Sequence, residues 1–386
     1  MSLSSKSFLG LPVLAVAVAV ALVLVGCVPQ PTPATSDAAT PTATSSPTPA
    51  AAALPTPTLP VTCADVLTDQ AASDILQTPV QLTVDEAGIR GIDTIADRQA
   101  GLLTCVWGGE SKTDNGWDDT IDLDVLPNAA ADYDAGVWKV DDGATPYTVG
   151  DLSECLCSPV DANGQSVCAA NLLLDGYWAH AYTQTSFTDG RTLASAEASM
   201  ATLLDSLAAT ITAAGAPNTA WSRPGDAIAG TFCADPGAST GVIRDAFATP
   251  DLAAPVADES STGPQTAAQA AEGRSGETRC AWSTAQAGYV ENDRTGSVYL
   301  QIVPGGAWAF PSLLATPPAV SYMLSALTPV TVPGGYPAIA ACNDANECYA
   351  MLSVGGSLLG IGGDGQPLEA FATSVGAVAD AVLAAG

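Results

Sequence analysis

Side chains suited to acid-base and nucleophilic chemistry are scarce in this sequence, which has one histidine among 386 residues. The segment Gly237-Ala238-Ser239-Thr240-Gly241 fits the G-x-S-x-G pattern of a nucleophilic serine. Such a serine needs a histidine later in the chain, whereas His180 precedes Ser239. We therefore interpret the segment as part of a helix and predict no catalytic residues.

A glycine-rich motif, Gly360-Ile361-Gly362-Gly363-Asp364-Gly365, fits the G-x-G-x-x-G pattern of dinucleotide-binding turns. A dinucleotide site also needs a following strand and an acidic residue about 20 positions further on. The residues after Gly365 have the pattern of a single helix. We therefore expect a strand-to-helix turn and no cofactor.

Aspartates of the first half of the sequence invite a calcium interpretation. They are Asp114, Asp118, Asp119, Asp122, Asp124, Asp132, Asp134, Asp141 and Asp142. No window has the D-x-[DN]-x-[DN]-G spacing and distal glutamate of an EF-hand loop. Asp122 and Asp124 alternate with apolar residues, which is typical of a solvated strand face. We predict no metal site.

These motifs lie in a sequence that contains the same unit twice. Thr62-Cys63-Ala64-Asp65 recurs as Phe232-Cys233-Ala234-Asp235, and Cys105-Val106-Trp107 recurs as Cys280-Ala281-Trp282. Further matches follow in the same order, which indicates a duplication.

Each copy begins with helical segments, continues with alternating segments bounded by Gly, Pro and Asp, and ends on an apolar helix of 3.6-residue period. The regular strand-helix-strand order of a parallel sheet is missing. We predict an α+β fold of two tandem homologous domains, residues 61–216 and 217–386. Each domain is expected to be an antiparallel sheet with helices on one face, held by disulfides.

Nine of the ten cysteines follow Cys27, and the repeat aligns eight of those nine. Repetition favours four bridges without excluding other connectivities, and an exported chain favours bridges over zinc. The expected pairs are Cys63–Cys105, Cys157–Cys168, Cys233–Cys280 and Cys342–Cys348. Cys155 is left over. It is expected to be buried and inert, to exchange with Cys157 for Cys168, or to cross-link a partner.

One strand-like segment of the first copy carries an aromatic row. Alternation places Trp178, His180 and Tyr182 on one face, where the second copy has Leu358, Gly360 and Gly362. The row is either a ligand-binding surface or the surface where the two repeats meet, because glycines opposite aromatic rings allow close approach. Trp178, His180 and Tyr182 are thus the candidate ligand-binding residues.

The N-terminus has the parts of a secretory signal: Lys6, then an apolar run from Phe8 to Gly26. Leu24-Val25-Gly26-Cys27 resembles the bacterial lipobox, in which the cysteine becomes the lipidated first residue of the mature protein, with palmitate among the expected lipids. We expect a signal peptide over residues 1–26. An uncleaved anchor is the alternative, since about 19 apolar residues can span a bilayer. Residues 27–60 are expected to be the lipidated cysteine and a disordered Pro/Thr/Ala-rich spacer.

The lipobox, the Pro/Thr-rich spacer, the early cysteine opening a helix and the later C-x-W strand together resemble the cysteine-bridged lipoproteins of unknown function common in actinobacteria. The resemblance covers residues 24–386, with the cysteine module present twice. The additional cysteine pair in each copy departs from the family pattern. The resemblance implies an exported, non-catalytic binding protein.

A net charge of −29 argues against nucleic-acid partners and against a polybasic hold on lipid. We therefore expect a binding or sensor lipoprotein, attached through Cys27 to the outer face of the cytoplasmic membrane. Its partner would be a small ligand, a wall component or an envelope protein. An exported hydrolase using paired carboxylates is one alternative, and a structural or adhesion protein is another. The acidic excess is larger in residues 61–216 than in 217–386, which directs attention to the first repeat.

Overall fold

The computed structural model describes most of the chain from Leu54 onward. The described residues are 54–84, 89, 91–109, 119–133, 144–160, 164–186, 192–223, 225, 228, 230–254, 256–257, 266–284, 297–318 and 326–386. The expected signal peptide, the lipidation site at Cys27 and most of the spacer lie outside the described residues.

The first repeat opens with two short helices that begin at capping threonines. Thr62 and Asp65 form a reciprocal capping box, in which the Thr62 N–H donates to Asp65 Oδ2 at 2.8 Å. The elements of this repeat are α1 (Cys63–Val66), α2 (Asp69–Leu76), β1 (Gln81–Val84), α3 (Ile92–Gln99), β2 (Leu103–Gly108), β3 (Thr120–Leu126), β4 (Thr145–Pro146), β5 (Leu152–Cys157), β6 (Gln165–Leu174), β7 (Tyr177–Ser186) and α4 (Leu193–Ala214).

The second repeat has the same order of helices and strands, with two differences. Its elements are α5 (Pro236–Phe247), β8 (Val256–Ala257), α6 (Ala267–Ser275), β9 (Thr278–Ser283), β10 (Ser297–Val303), α7 (Phe310–Ala315), β11 (Thr328–Val330), β12 (Ala338–Cys342), β13 (Glu347–Val354), β14 (Ser357–Asp364) and α8 (Leu368–Ala385). A 3-10 turn over Gly230–Ala234 stands in place of α1, and an additional short helix, α7, follows β10. A 3-10 turn over Gly306–Ala309 leads into α7.

Each repeat forms one antiparallel sheet, and the two sheets have the same topology. The strand order is β1-β2-β3-β7-β6-β5-β4 in the first and β8-β9-β10-β14-β13-β12-β11 in the second. The register is also equivalent, since Asp124 pairs with His180 where Gln301 pairs with Gly360. The predicted α+β class and antiparallel sheets are confirmed.

The long C-terminal helix of each repeat covers one face of its own sheet. Buried Met200, Leu203 and Leu207 of α4 lie in the core of the first repeat, and Phe371 and Val375 of α8 lie in that of the second. Among the described helices, α8 alone is long and apolar enough to cross a membrane by length and composition. Its buried apolar face is typical of a core helix.

The opposite face of each sheet is covered by a helix of the other repeat. Ile92 and Ile95 of α3 lie in a buried cluster with Val303 and Tyr349 of the second sheet. The expectation of helices on one face only was therefore wrong. Both faces are covered, because each repeat places one helix on the sheet of the other. These helices are α3, which precedes β2, and α6, which precedes β9.

The reciprocal contact is made by α6 on the first sheet. Ala267, Ala270 and Ala271 lie in a buried cluster with Trp178 and Leu126. Small helix side chains therefore meet the large indole on the first sheet.

On the second sheet the sizes are reversed, because a Cβ placed on Gly360 would lie 3.1 Å from Ile92 Cδ1. The first repeat thus has Trp178 and His180 where the second has Leu358 and Gly360. These differences match the packing, because a helix with small side chains covers the first sheet and a helix with larger ones covers the second. The described residues from Leu54 to Gly386 form one compact unit.

All four expected disulfides are present: Cys63–Cys105, Cys157–Cys168, Cys233–Cys280 and Cys342–Cys348. Trp107 and Trp282 are fully buried in the same cores as the bridges of their own strands.

The folded part begins before residue 61, where the spacer was expected to end. Thr58 and Leu59 are each 2% exposed. The Thr58 N–H donates to the Gly101 carbonyl at 3.0 Å, and Asn218 N–H donates to the Thr58 carbonyl at 2.7 Å. The proline-rich composition predicted disorder up to residue 60, but the buried side chain of Leu59 holds this end of the segment against the first repeat.

Candidate functional site

A groove of about 920 Å³, here called the inter-repeat groove, lies between residues of the two repeats. Its lining is mainly apolar. The lining residues are Leu54, Pro55, Thr56, Pro57, Leu59, Pro60, Val61, Thr62, Asp65, Ile89, Arg98, Asn218, Trp308, Ser312, Leu313, Ala315 and Thr316. This volume is within the usual range of small-molecule sites, which is roughly 300–1,000 Å³.

One wall of the inter-repeat groove is the chain segment that enters the first repeat. This segment is fixed by the Thr58 backbone contacts and by the buried side chain of Leu59. The other wall is the 3-10 turn and helix α7, where Trp308 precedes a helix anchored by buried Leu313. The groove therefore exists only because the two repeats are docked.

Polar groups in the inter-repeat groove are few. Arg98 is the one cationic side chain among the described lining residues, and Asp65 is the one carboxylate. Hydrogen bonds from Thr62 lower the pKa of Asp65, which caps α1. Trp308 Nε1 is buried without a hydrogen-bond partner among the described residues. An apolar molecule with an acidic or carbonyl group would fit this lining.

A second polar feature, here called the seam cluster, consists of Asp93, Asp97, Glu272, Glu277 and Arg279. Oxygens of Asp93, Glu272 and Glu277 lie within 4.8 Å of one another. Arg279 forms ion pairs with all three, at 2.9 Å to Asp93 and 2.7 Å to Glu272. The cluster joins α3 of the first repeat to α6 and β9 of the second.

Burial perturbs two carboxyls of the seam cluster. Burial, opposed by the Arg279 charge, raises the pKa of Glu277 to about 7. Burial and the charges of neighbouring carboxylates, first among them Asp124, raise the pKa of Asp97 well above its usual value. Both shifts express the cost of keeping carboxylates ionised in a crowded, partly dry site.

The aromatic row lies on one face of β7. Trp178 is fully buried, donates from Nε1 to Asn171 Oδ1 at 2.9 Å and meets Tyr133 edge-on at 5.4 Å. His180 is 8% exposed, and burial lowers its pKa to about 4. Tyr182 is half-buried. Trp178 faces α6, so a ligand would reach it only if that helix moved, and ligand binding by the row stays a prediction.

The two catalytic-looking motifs occupy structural positions. Ser239 is buried in α5, where its Oγ donates to the Asp235 carbonyl at 2.9 Å. Gly360 and Gly362 lie inside β14, and a Cβ on Gly362 would be 1.9 Å from the Tyr299 ring. These glycines therefore provide room for side chains of the neighbouring strands.

The acidic residues considered for calcium are only partly described. Asp114, Asp118, Asp134, Asp141 and Asp142 lie outside the described residues. Asp124 is half-buried, contrary to the expected solvated face, and accepts a hydrogen bond from Thr104 at 2.8 Å. Helix α6 covers this face of β3.

Cys155 is buried, and its sulfur lies 3.9 Å from that of Cys157. Burial raises the pKa of the Cys155 thiol to about 11. A hydrogen bond from Tyr147 opposes this rise, and the charge of Glu197 adds a smaller contribution to it. A thiol in this state is a poor nucleophile.

Sequence reasoning missed both the inter-repeat groove and the seam cluster. One signal for the cluster was present, since Asp97 stands four residues before Gly101 just as Glu272 stands four before Gly276. That match placed an acidic residue at the same position of the two exchanged helices. The groove had no comparable signal, because its walls are distant in sequence.

Comparison with known proteins adds no relative. No protein-family model matches the chain, and no curated protein or solved structure matches it.

Proposed function

We propose that this protein is a lipid-anchored, extracytoplasmic binding protein whose ligand occupies the inter-repeat groove. The observation that carries the proposal is the groove itself, with its mainly apolar lining and its volume of about 920 Å³. The lipobox at Cys27 would tether the protein to the outer face of the cytoplasmic membrane, and the proline-rich spacer would separate the two.

The lining supports an amphiphilic ligand with an apolar body and an acidic group. Leucine, isoleucine and proline side chains suit an acyl chain, because burying apolar surface contributes roughly 25 cal/mol per Å². Arg98 is the cationic side chain of this lining, and its guanidinium charge favours a carboxylate or phosphate there. A fatty acid or an acyl lipid has this chemistry.

The hydrolase alternative receives less support from the inter-repeat groove. Cleavage by carboxylates requires two such groups facing the bound substrate, roughly 5–10 Å apart. Among the described residues, Asp65 is the one carboxylate that lines the groove, and it caps a helix. The structural or adhesion alternative through a Cys155 cross-link is disfavoured by the burial of that thiol.

The ligand is best identified by extracting the protein purified from its native membrane and analysing the extract by mass spectrometry. We expect an amphiphile in the wild-type extract and its loss in Ala315→Trp, because Ala315 is exposed and lines the groove. Leu314→Trp is the matched control, since Leu314 is 46% exposed on the same helix but does not line the groove. Equal amounts in all three extracts, or none in any, would argue against the groove as the site.

The anchor requires its own experiment. Cells fed a labelled fatty acid should label the wild-type protein, and Cys27→Ala should remove the label and release the protein from the membrane fraction. Persistent membrane attachment of Cys27→Ala would favour an uncleaved apolar anchor instead.

A further inference from the structure

The seam cluster holds more negative charge than its one cationic side chain can neutralise. Asp93, Glu272 and Glu277 converge on the guanidinium of Arg279. Gln301 Nε2 also donates to Asp93, and to Glu277 Oε1 at 2.7 Å. When ionised, three carboxylates around one guanidinium leave a surplus of negative charge.

A fourth carboxyl group, that of Asp97, lies beside these three in a buried position. Asp97 is 7% exposed, and its Oδ1 has no hydrogen-bond partner among the described residues. The charges of Asp124, Glu272, Asp93 and Glu277 all act on this carboxyl, which therefore lies close to the other carboxylates of the cluster. A buried carboxylate oxygen without a donor is unfavourable unless a proton or a cation meets it.

Glu277 has a similar defect. Its side chain is 2% exposed, and its Oε2 has no hydrogen-bond partner in the described part of the chain. Two oxygens without a hydrogen-bond partner among the described residues, one from α3 and one from the residue that precedes β9, thus border the same group of acidic side chains.

We propose that the seam cluster is a binding site for a hard divalent cation, most closely Ca²⁺, that Asp93, Glu272 and Glu277 ligate across the join between the repeats. Their oxygens lie within 4.8 Å of one another, and ligands about 2.3–2.6 Å from one Ca²⁺ ion have separations of this size.

The donor set selects the class of metal. All the donors are carboxylate oxygens, without the imidazole or thiolate ligands that suit zinc and copper. Carboxylates from two different repeats form an irregular site. Ca²⁺ accepts irregular coordination, whereas Mg²⁺ demands near-ideal octahedral geometry.

Arg279 is the competitor for this site. Its side chain is 41% exposed, so it can turn toward solvent when the ion enters. Exchange of one guanidinium for one divalent cation places more positive charge among the same carboxylates. The ion would strengthen the docking of α3 against α6 and β9, because its ligands come from both repeats.

The test uses the complete exported chain in thermal unfolding and in calorimetric titration with CaCl2, with MgCl2 and ionic-strength-matched NaCl as parallel arms. We expect one saturable site and a rise of several degrees in Tm with CaCl2, with a smaller rise for MgCl2. The absence of a saturable heat, or an equal Tm shift with NaCl, would overturn the proposal.

Variants locate the site. Glu277→Gln and Glu272→Gln should each weaken Ca²⁺ binding at least tenfold, and Glu272, at 22% exposure, is the safer choice if Glu277→Gln fails to fold. Asp205→Asn, an exposed carboxylate of α4, is the matched control and should bind as wild type does. Unchanged affinity in Glu272→Gln, or loss in Asp205→Asn, would overturn the assignment.

Arg279→Met tests the competition directly. Removing the guanidinium should raise Ca²⁺ affinity several-fold, since the carboxylates then have no other cation. Weaker binding in Arg279→Met would contradict the proposed exchange of cations.

Discussion

Arg279 of β9 lies 2.9 Å from Asp93 of α3, so a side chain of the second repeat holds a helix whose sequence belongs to the first. Arg274 of α6 makes the reciprocal connection, donating to the Asn128 carbonyl at 2.6 Å and forming an ion pair with Asp132. One helix of each repeat therefore packs against the sheet of the other. The inter-repeat groove and the seam cluster both lie along the contact that results.

Packing of α6 on the first sheet should tolerate no larger side chain. Ala270→Leu inserts three heavy atoms where Trp178 already fills the space, and we expect a loss of about 1–3 kcal/mol in the free energy of unfolding. Ala370→Leu, at an exposed position of α8, is the matched control and should change it by less than about 0.5 kcal/mol. Urea denaturation measures both, and equal stability of the two variants would show that α6 does not pack as described.

Much of this fold was readable from the sequence. The duplicated landmarks around Cys63 and Cys233 gave the repeats and the bridges, because covalent pairing and apolar period are local signals. The exchange of α3 and α6 was not readable. Ile92 and Ala267 show only that each helix has an apolar face, and apolar burial is non-directional, so it does not specify which sheet that face covers.

Stability should fall in acid through His180. Burial lowers its folded-state pKa to about 4, while the unfolded value is about 6.5. Between these two pKa values the unfolded chain binds a proton at this histidine and the folded protein does not. The free energy of unfolding therefore falls as pH falls through this window. From pH 7 to 4.5 this one group should cost about 2–3 kcal/mol.

His180→Gln removes that proton uptake while leaving the carboxylates unchanged. Urea denaturation of both proteins at pH 7 and pH 4.5 should therefore show the wild type losing more stability than the variant. Identical losses would mean that His180 is not buried in its neutral form.

Cys155 should be inert in the folded protein. Its thiol is buried and its pKa is raised to about 11, so a maleimide at pH 7.5 should not label it in a chain that carries Cys27→Ser. Guanidinium chloride should make it fully reactive. Ala209→Cys, at an exposed position of α4, is the positive control. Rapid labelling of Cys155, or a dimer on a non-reducing gel that depends on it, would restore the exchange and cross-linking alternatives.

The proposed binding function rests on the inter-repeat groove, and titration with a fluorescent fatty acid, cis-parinaric acid, tests it most directly. We expect saturable binding at one site of the wild type, at least tenfold weaker binding to Ala315→Trp, and wild-type affinity for Leu314→Trp. Equal affinity of all three proteins, or no saturable binding to the wild type, would contradict it.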